Sequence, residues 1–270
     1  MILIKTAAAL RQCLSERVSK GDSIGFVPTM GALHEGHLSL ITAATRENPV
    51  VVCSIFVNPT QFNDPNDFKK YPITLEKDIA LLEKAGTGIL FLPSVGEMYP
   101  NGTAHLPHYP LGYLETILEG KYRPGHFQGV CQVMDRLLTI VHADHLYMGQ
   151  KDYQQCMVVR MLIGYRQFAV AFHTCPTLRE SDGLAMSSRN QRLSAAERQQ
   201  AVAVSQALTA VRNNIQPGNV QPLLLQAASF LRDSGFAVDY VALCSASGLR
   251  PGYRLERQRA AGGTGGRLPE

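Results

Sequence analysis

An α/β fold, an open doubly wound parallel sheet followed by a smaller C-terminal α+β domain, is predicted by three observations. Apolar runs of strand length alternate with stretches of helical period for most of the chain. The runs are nearly continuously apolar, as strands covered on both faces are. The alternation breaks at Pro176, and a different texture begins at Ser194.

Taken in order, the spacing predicts a strand over Ser23–Val27, a helix over Gly36–Thr45, a strand over Val50–Val57, a helix over Thr74–Lys84 and a strand over Ile89–Leu92. A helix over Phe127–Val141, a strand over His145–Met148, a helix over Tyr153–Ile163 and a strand over Val170–Cys175 continue the pattern. Ser194-Ala-Ala-Glu197 is a capping box opening a helix to about residue 213, Pro217-Gly218 is a turn, and Leu223–Ser234 is a second amphipathic helix. The domains are therefore expected over 1–175 and 176–249, with an unstructured tail over 250–270 that has neither period and carries five glycines. In sheets of this kind ligands bind beyond the carboxyl ends of the strands, where the strand order reverses.

The 270 residues suffice for one large or two modest domains. With 45% hydrophobic and 18% charged residues the chain is globular rather than disordered. No apolar run approaches the roughly 18 residues of a membrane helix, and Lys5 and Arg11 interrupt the N-terminal apolar residues. The expectation is a cytoplasmic protein with no secretory signal. Six scattered cysteines without a C-x-x-C pair disfavour a zinc knuckle or a disulfide framework. Of the net charge of +4, three units lie after residue 249, on Arg250, Arg254, Arg257, Arg259 and Arg267 against Glu256 and Glu270. The nearly neutral body argues against a nucleic-acid surface.

Three loops point to phosphate chemistry. Pro28-Thr-Met-Gly-Ala-Leu-His-Glu-Gly-His37 links a strand to a helix, where unpaired N–H groups and the helix dipole suit an anion. Its glycines have Walker-like spacing, but His37 and Leu38 stand where a P-loop needs lysine and a hydroxyl, which disfavours a P-loop NTPase. His34 and His37, three apart, share one face of a helical turn and can donate to phosphate oxygens. A metal role for them lacks a third ligand nearby. The pairs His105–His108 and His142–His145 read as ordinary surface or hydrogen-bonded core histidines. Gly149-Gln-Lys-Asp-Tyr-Gln-Gln155 also joins a strand to a helix; Lys151 supplies a mobile charge, and Asp152 either caps the helix or binds a ribose hydroxyl. Met186-Ser-Ser-Arg189 suits outer phosphates and is expected as a clamp from the second domain. Gln61 and Gln155 are neutral amides that suit a substrate with hydroxyls and one carboxylate, or brace a loop.

Together with Phe56-Val-Asn-Pro-Thr-Gln-Phe62, Gly120-Lys-Tyr-Arg-Pro-Gly-His-Phe-Gln-Gly-Val130 and Arg179-Glu-Ser-Asp-Gly-Leu-Ala-Met-Ser-Ser-Arg-Asn190, these loops resemble the pantothenate synthetase (pantoate–β-alanine ligase) family over about residues 1–245. The resemblance implies a Rossmann-like fold with the His-x-Gly-His signature of adenylate-forming enzymes. The implied activity is an ATP-dependent, Mg²⁺-requiring condensation of (R)-pantoate with β-alanine through pantoyl adenylate, releasing AMP and pyrophosphate, by a cytoplasmic homodimer. Neither nucleic acid nor membrane is an implied partner.

Carried over residue by residue, Thr29, Met30, Gly31, Ala32, Leu33, His34, Glu35, Gly36 and His37 would line the ATP site, with Gly149, Gln150, Lys151, Asp152, Leu178, Met186, Ser187, Ser188 and Arg189. His37 would take a proton-donor role beside His34 and Lys151. Gln61 and Gln155 would hold pantoate, and Gln61 would border β-alanine. Asp78 is a magnesium contact by resemblance, or helix surface charge. A lid is expected at Asn63–Tyr71, since an adenylate must be kept from water. After the strand expected at Phe236–Cys244 the Gly/Arg-rich tail departs from the family's aliphatic pattern. The competing readings are a nucleotidyltransferase acting on a phosphorylated substrate, for which Arg or Lys would be wanted at Gln61 and Gln155, and a non-catalytic ATP-binding module.

Overall fold

The computed structural model describes residues 1–63, 65–250, 252, 254 and 255. The described residues form two compact units, one drawn from 1–178 and 186–191, the other from 179–185 and the described residues from 192 onward.

In the first unit the chain runs β1 (Ile2–Ile4), α1 (Ala7–Val18), β2 (Ile24–Thr29), α2 (Glu35–Glu47), β3 (Val50–Ile55), α3 (Pro65–Lys69), α4 (Leu75–Lys84), β4 (Ile89–Phe91) and α5 (Val95–Met98). It continues through α6 (Leu118–Tyr122), α7 (His126–Val141), β5 (His145–Gly149), α8 (Tyr153–Arg166) and β6 (Ala171–Cys175). The six strands form one sheet in the order β1-β4-β3-β2-β5-β6, and every pairing is parallel. From β2 the chain winds outward through β3 and β4, then returns to add β5 and β6 on the other side. The strand order therefore reverses between β2 and β5.

The residue types explain the layering. All six residues of β3, Val-Val-Val-Cys-Ser-Ile, are buried, because helices cover both faces of a central parallel strand. Val27, Leu33, Ile41, Cys53, Leu82, Leu90 and Tyr147 form a core cluster on one side. The ladder between β2 and β5 has only two pairs, Gly25 with His145 and Phe26 with Leu146, whereas β2 stays paired with β3 as far as Thr29 and Ile55. Pro28, which could not donate to a ladder, lies beyond that short seam, and the sheet is unpaired there at the carboxyl ends of β2 and β5. No described helix is long and apolar enough to cross a membrane.

In the second unit α9 (Ala195–Asn214) opens on the expected capping box: Ser194 Oγ accepts from Glu197 N at 3.3 Å, and Glu197 Oε2 accepts from Ser194 N at 2.8 Å. β7 (Gly218–Asn219) precedes α10 (Gln221–Asp233), and Ala203 and Ala207 of α9 pack against Ala227 and Leu231 of α10. Residues 179–185 form a tight hairpin around Gly183 (φ +91°), and Arg198 binds its Glu180 at 2.9 Å and Asp182 at 2.6 Å.

Three expectations change. Phe236–Cys244 is not a strand; Phe236, Val238 and Val241 pack beside the two helices instead. Arg254 and Leu255, inside the expected tail, form β8 (Arg254–Leu255), antiparallel to β7, while residues 251, 253 and 256–270 lie outside the described ones. Met186–Arg189 belongs to the first unit, not the second. Met186 N donates to Leu178 O at 3.1 Å, and Ser188 Oγ donates to Ala32 O at 3.0 Å.

Candidate active site

A cavity of about 240 Å³ opens at the β2–β5 reversal, and every residue lining it belongs to the first unit. Thr29, Met30, His34, Gly36, His37, Gln61, Gly149, Lys151, Asp152, Gln155, Leu178, Met186, Ser187, Ser188 and Arg189, all expected from sequence, line it together.

The loop after β2 is held by an acid distant in sequence. Gly31 (φ +80°) and Ala32 (φ +49°) are both left-handed, an arrangement that costs about 1 kcal/mol or more at a non-glycine residue. Asp78, 1% exposed, fixes the turn: its Oδ2 accepts from Ala32 N and its Oδ1 from Leu33 N, each at 2.8 Å, and Thr74 Oγ1 adds a bond at 3.0 Å. Paired N–H groups of this kind bind anions, and here the chain's own carboxylate fills them. Asp78 is therefore not helix surface charge, and it does not line the cavity at the strand-order reversal. Gly31 and Ala32 border a separate apolar hollow with Asp78, and Leu33 lies in the core. Glu35 and Gln150 are exposed outside the cavity.

His34 and His37 stack obliquely, ring centroids 4.0 Å apart. His34 N donates to His37 Nδ1 at 3.3 Å, so the ring proton of neutral His37 sits on Nε2. Burial, then the neighbouring His34 and Lys151, push the His37 pKa down to about 3. His37 is thus neutral, and its Nε2–H is the hydrogen it can donate. Gly36 serves the histidines: a Cβ there would lie 2.9 Å from His34 Cε1 and Nδ1.

The amide wall is built from the turn Pro59–Gln61. Buried Asn58 donates to Gln61 Oε1 at 3.2 Å and to Gly129 O at 3.1 Å, and its Oδ1 accepts from Tyr99 at 2.8 Å. Gln61 Nε2 points to Met30 Sδ at 2.9 Å. Lys151 pairs with Asp152 at 3.1 Å, and Arg189 pairs with Asp67 at 2.7 Å while lying over the Tyr71 ring.

Sequence reasoning missed Glu119, Arg123 and His126, which also line the cavity. Arg123 binds Glu119 at 2.6 Å and approaches His126 Nε2 at 3.2 Å, while His126 Nδ1 meets Gln61 O at 2.8 Å. Burial and then Arg123 lower the His126 pKa. The consistent tautomer has Nδ1–H donating to Gln61 and Nε2 accepting from Arg123. The signal was present in Lys-Tyr-Arg-Pro-Gly-His, where a cation precedes the left-handed Gly125 that opens α7.

Residues 2–263 match the family model described as pantoate-beta-alanine ligase. A pantothenate synthetase of Cytophaga hutchinsonii is 49% identical over 220 residues, covering 82% of this chain and 77% of the relative. One of Bacteroides fragilis is 44% identical over 257 residues, covering 95% and 84%. The crystal structure of pantothenate synthetase from Thermus thermophilus superposes with a TM-score of 0.88 at 44% identity, covering 94% of this chain and 91% of that one. The pantoate-beta-alanine ligase of Francisella tularensis, crystallised with beta-gamma ATP and beta-alanine, gives 0.74 at 41% identity over 85% and 86%.

Proposed function

Since the chain belongs to the pantoate–β-alanine ligase family, we propose that its cavity joins pantoate to β-alanine with ATP, releasing AMP and pyrophosphate, in pantothenate biosynthesis. The observation that carries this reading is the convergence of His34, His37, Lys151, Ser187 and Arg189 with Gln61 and Gln155 on one cavity at the strand-order reversal.

The substrate's own carboxylate attacks the α-phosphorus, forming the acyl–O–P bond as the bond to pyrophosphate breaks. The β-alanine amine then attacks the acyl carbon, AMP leaves and the amine loses its proton. No enzyme nucleophile is required. The residues fit that demand: burial raises the thiols of Cys53, Cys131 and Cys156 to about 12, and the Ser188 hydroxyl is spent on Ala32 O. Positioning and charge stabilisation carry the catalysis. His37 donates its Nε2–H, and Lys151 and Arg189 spread the charge growing on the leaving pyrophosphate. Gln61 and Gln155 hold the hydroxyls and carboxylate of pantoate. Neutral amides there disfavour a phosphorylated substrate, which would call for cations. The Glu119–Arg123 pair beside Gln61 suits a zwitterionic amine substrate.

Magnesium fits as an ion held mainly by the nucleotide's phosphates. Among the described residues, Asp152 and Glu119 are the lining carboxylates; each is paired with a cation, Lys151 and Arg123, and Asp152, the more exposed of the two with 53% of its side chain facing solvent, would hold it. When bound, the ion would neutralise phosphate charge.

The segment Asn63–Tyr71, of which residue 64 lies outside the described ones, serves as the lid. On closure Arg189 would exchange Asp67 for phosphate oxygens. The working form is a cytoplasmic homodimer, and sedimentation equilibrium tests the dimer. The deciding experiment for the activity is ATP–pyrophosphate exchange: exchange that requires pantoate supports it, and exchange indifferent to pantoate overturns it.

A further inference from the structure

At the other end of α2, roughly 15 Å along the helix from His37 at 1.5 Å per residue, three metal-ligating side chains meet. His145 of β5 and His173 of β6 lie on one face of the sheet: His173 is in register with Tyr147, two residues beyond His145. His145 Nδ1 and His173 Nε2 are 2.9 Å apart. Glu47, the last residue of α2, completes the group, and one ligand atom from each residue lies within 4.8 Å of the other two. We infer that Glu47, His145 and His173 bind one divalent cation of the zinc class, which ties the end of α2 to the two strands beyond the sheet's reversal.

Four features support the inference. The donor set, two imidazoles and a carboxylate, is that of open zinc sites, which keep a position for water. Glu47 and His173 retain solvent-facing surface, 51% and 33% of their side chains, which gives the ion an entry path and room for that water. Glu47 is aimed by an outer layer of hydrogen bonds: Tyr147 OH donates to its Oε2 at 2.6 Å, and buried Asn48 donates to Tyr147 at 2.9 Å. The carboxyl end of a helix carries the negative end of its dipole, which favours a cation. Tetrahedral bonds of zinc length separate donor atoms by about 3.3 Å, so the facing nitrogens need to part by only a few tenths of an ångström as the ion replaces the proton between them. Mixed nitrogen and oxygen donors select zinc, cobalt, nickel or copper over magnesium.

The test uses the full chain, stripped with a chelator and titrated calorimetrically with zinc chloride in excess magnesium. The wild type is expected to bind one more zinc ion per chain than His173→Asn. Tyr147→Phe, which removes only the outer hydrogen bond to Glu47, should weaken that ion by about 10–100-fold. Cobalt in its place should show ligand-field bands without thiolate charge transfer. If His173→Asn fails to fold by circular dichroism, Glu47→Gln at the exposed helix end decides. It should lose the same ion and keep pantoate-dependent exchange. Equal zinc stoichiometry and affinity in wild type and folded variant, or a cobalt spectrum dominated by thiolate, overturns the site.

Discussion

Substituting Gly129 by Ala tests how the amide wall is placed. Gly129 lies in α7, where the helix presses on the turn that carries Gln61. A Cβ there would stand 2.3 Å from Thr60 O, 2.6 Å from Thr60 C and 2.7 Å from Gln61 Cα, against 3.4 Å for ordinary contact, so the turn must retreat by about 1 Å. It cannot do so freely. Asn58 clasps Gly129 O and Gln61, and His126 of the same helix holds Gln61 O. Overpacking of this kind costs about 1–3 kcal/mol, several degrees of Tm at roughly 2–4 °C per kcal/mol. Displacing a substrate-holding group by about 1 Å lowers the rate by about 10²-fold. In pantoate-dependent exchange the loss should fall on kcat/KM for pantoate, with KM for ATP little changed because His34, Lys151 and Ser188 stay put. Gly164→Ala in α8, with nothing within 4 Å, is the control and should stabilise by about 0.4–1 kcal/mol. Wild-type Tm and pantoate kinetics in Gly129→Ala would refute the reasoning.

His37→Asn should lower exchange by about 10²–10³-fold, read from initial rates; an unchanged rate removes His37 from charge stabilisation. The His37 pKa is depressed on folding from 6.5 to about 3, so between those values the unfolded chain binds a proton that the folded chain refuses. Stability from this group is therefore complete above pH 6.5 and falls on acidification. Urea unfolding should show the wild type losing about 2 kcal/mol more than His37→Asn between about pH 7 and 5. Asp78→Asn keeps one acceptor and gives up the other, leaving a buried N–H of Ala32 or Leu33 unpaired at about 1–3 kcal/mol. Its Tm should drop while the magnesium midpoint of the residual activity stays unchanged, and a shifted midpoint would restore Asp78 as a metal contact.

Much of this architecture was legible in the sequence because β2, β3 and β5 are short, nearly unbroken apolar runs, and because glycine and histidine cluster where a strand turns into a helix. The three-residue β1 and the weakly amphipathic α1 left too little pattern to read. Asp78 is buried rather than helix surface charge, and its hold on the loop was hidden, since its partners, Ala32 and Leu33, lie 46 and 45 residues away and only the fold unites them. The return of residues 186–191 to the first unit was equally hidden. A chain that leaves a unit and comes back looks, along its length, like one boundary. Arg123 and His126 were passed over because they precede or open α7, where proline and glycine obscure its start.

The carboxylate lodged beneath the first loop has a consequence for turnover. A turn already satisfied by an internal anion is set before nucleotide arrives, so none of the free energy of association goes into ordering it. The same turn is as firmly set after release as before it.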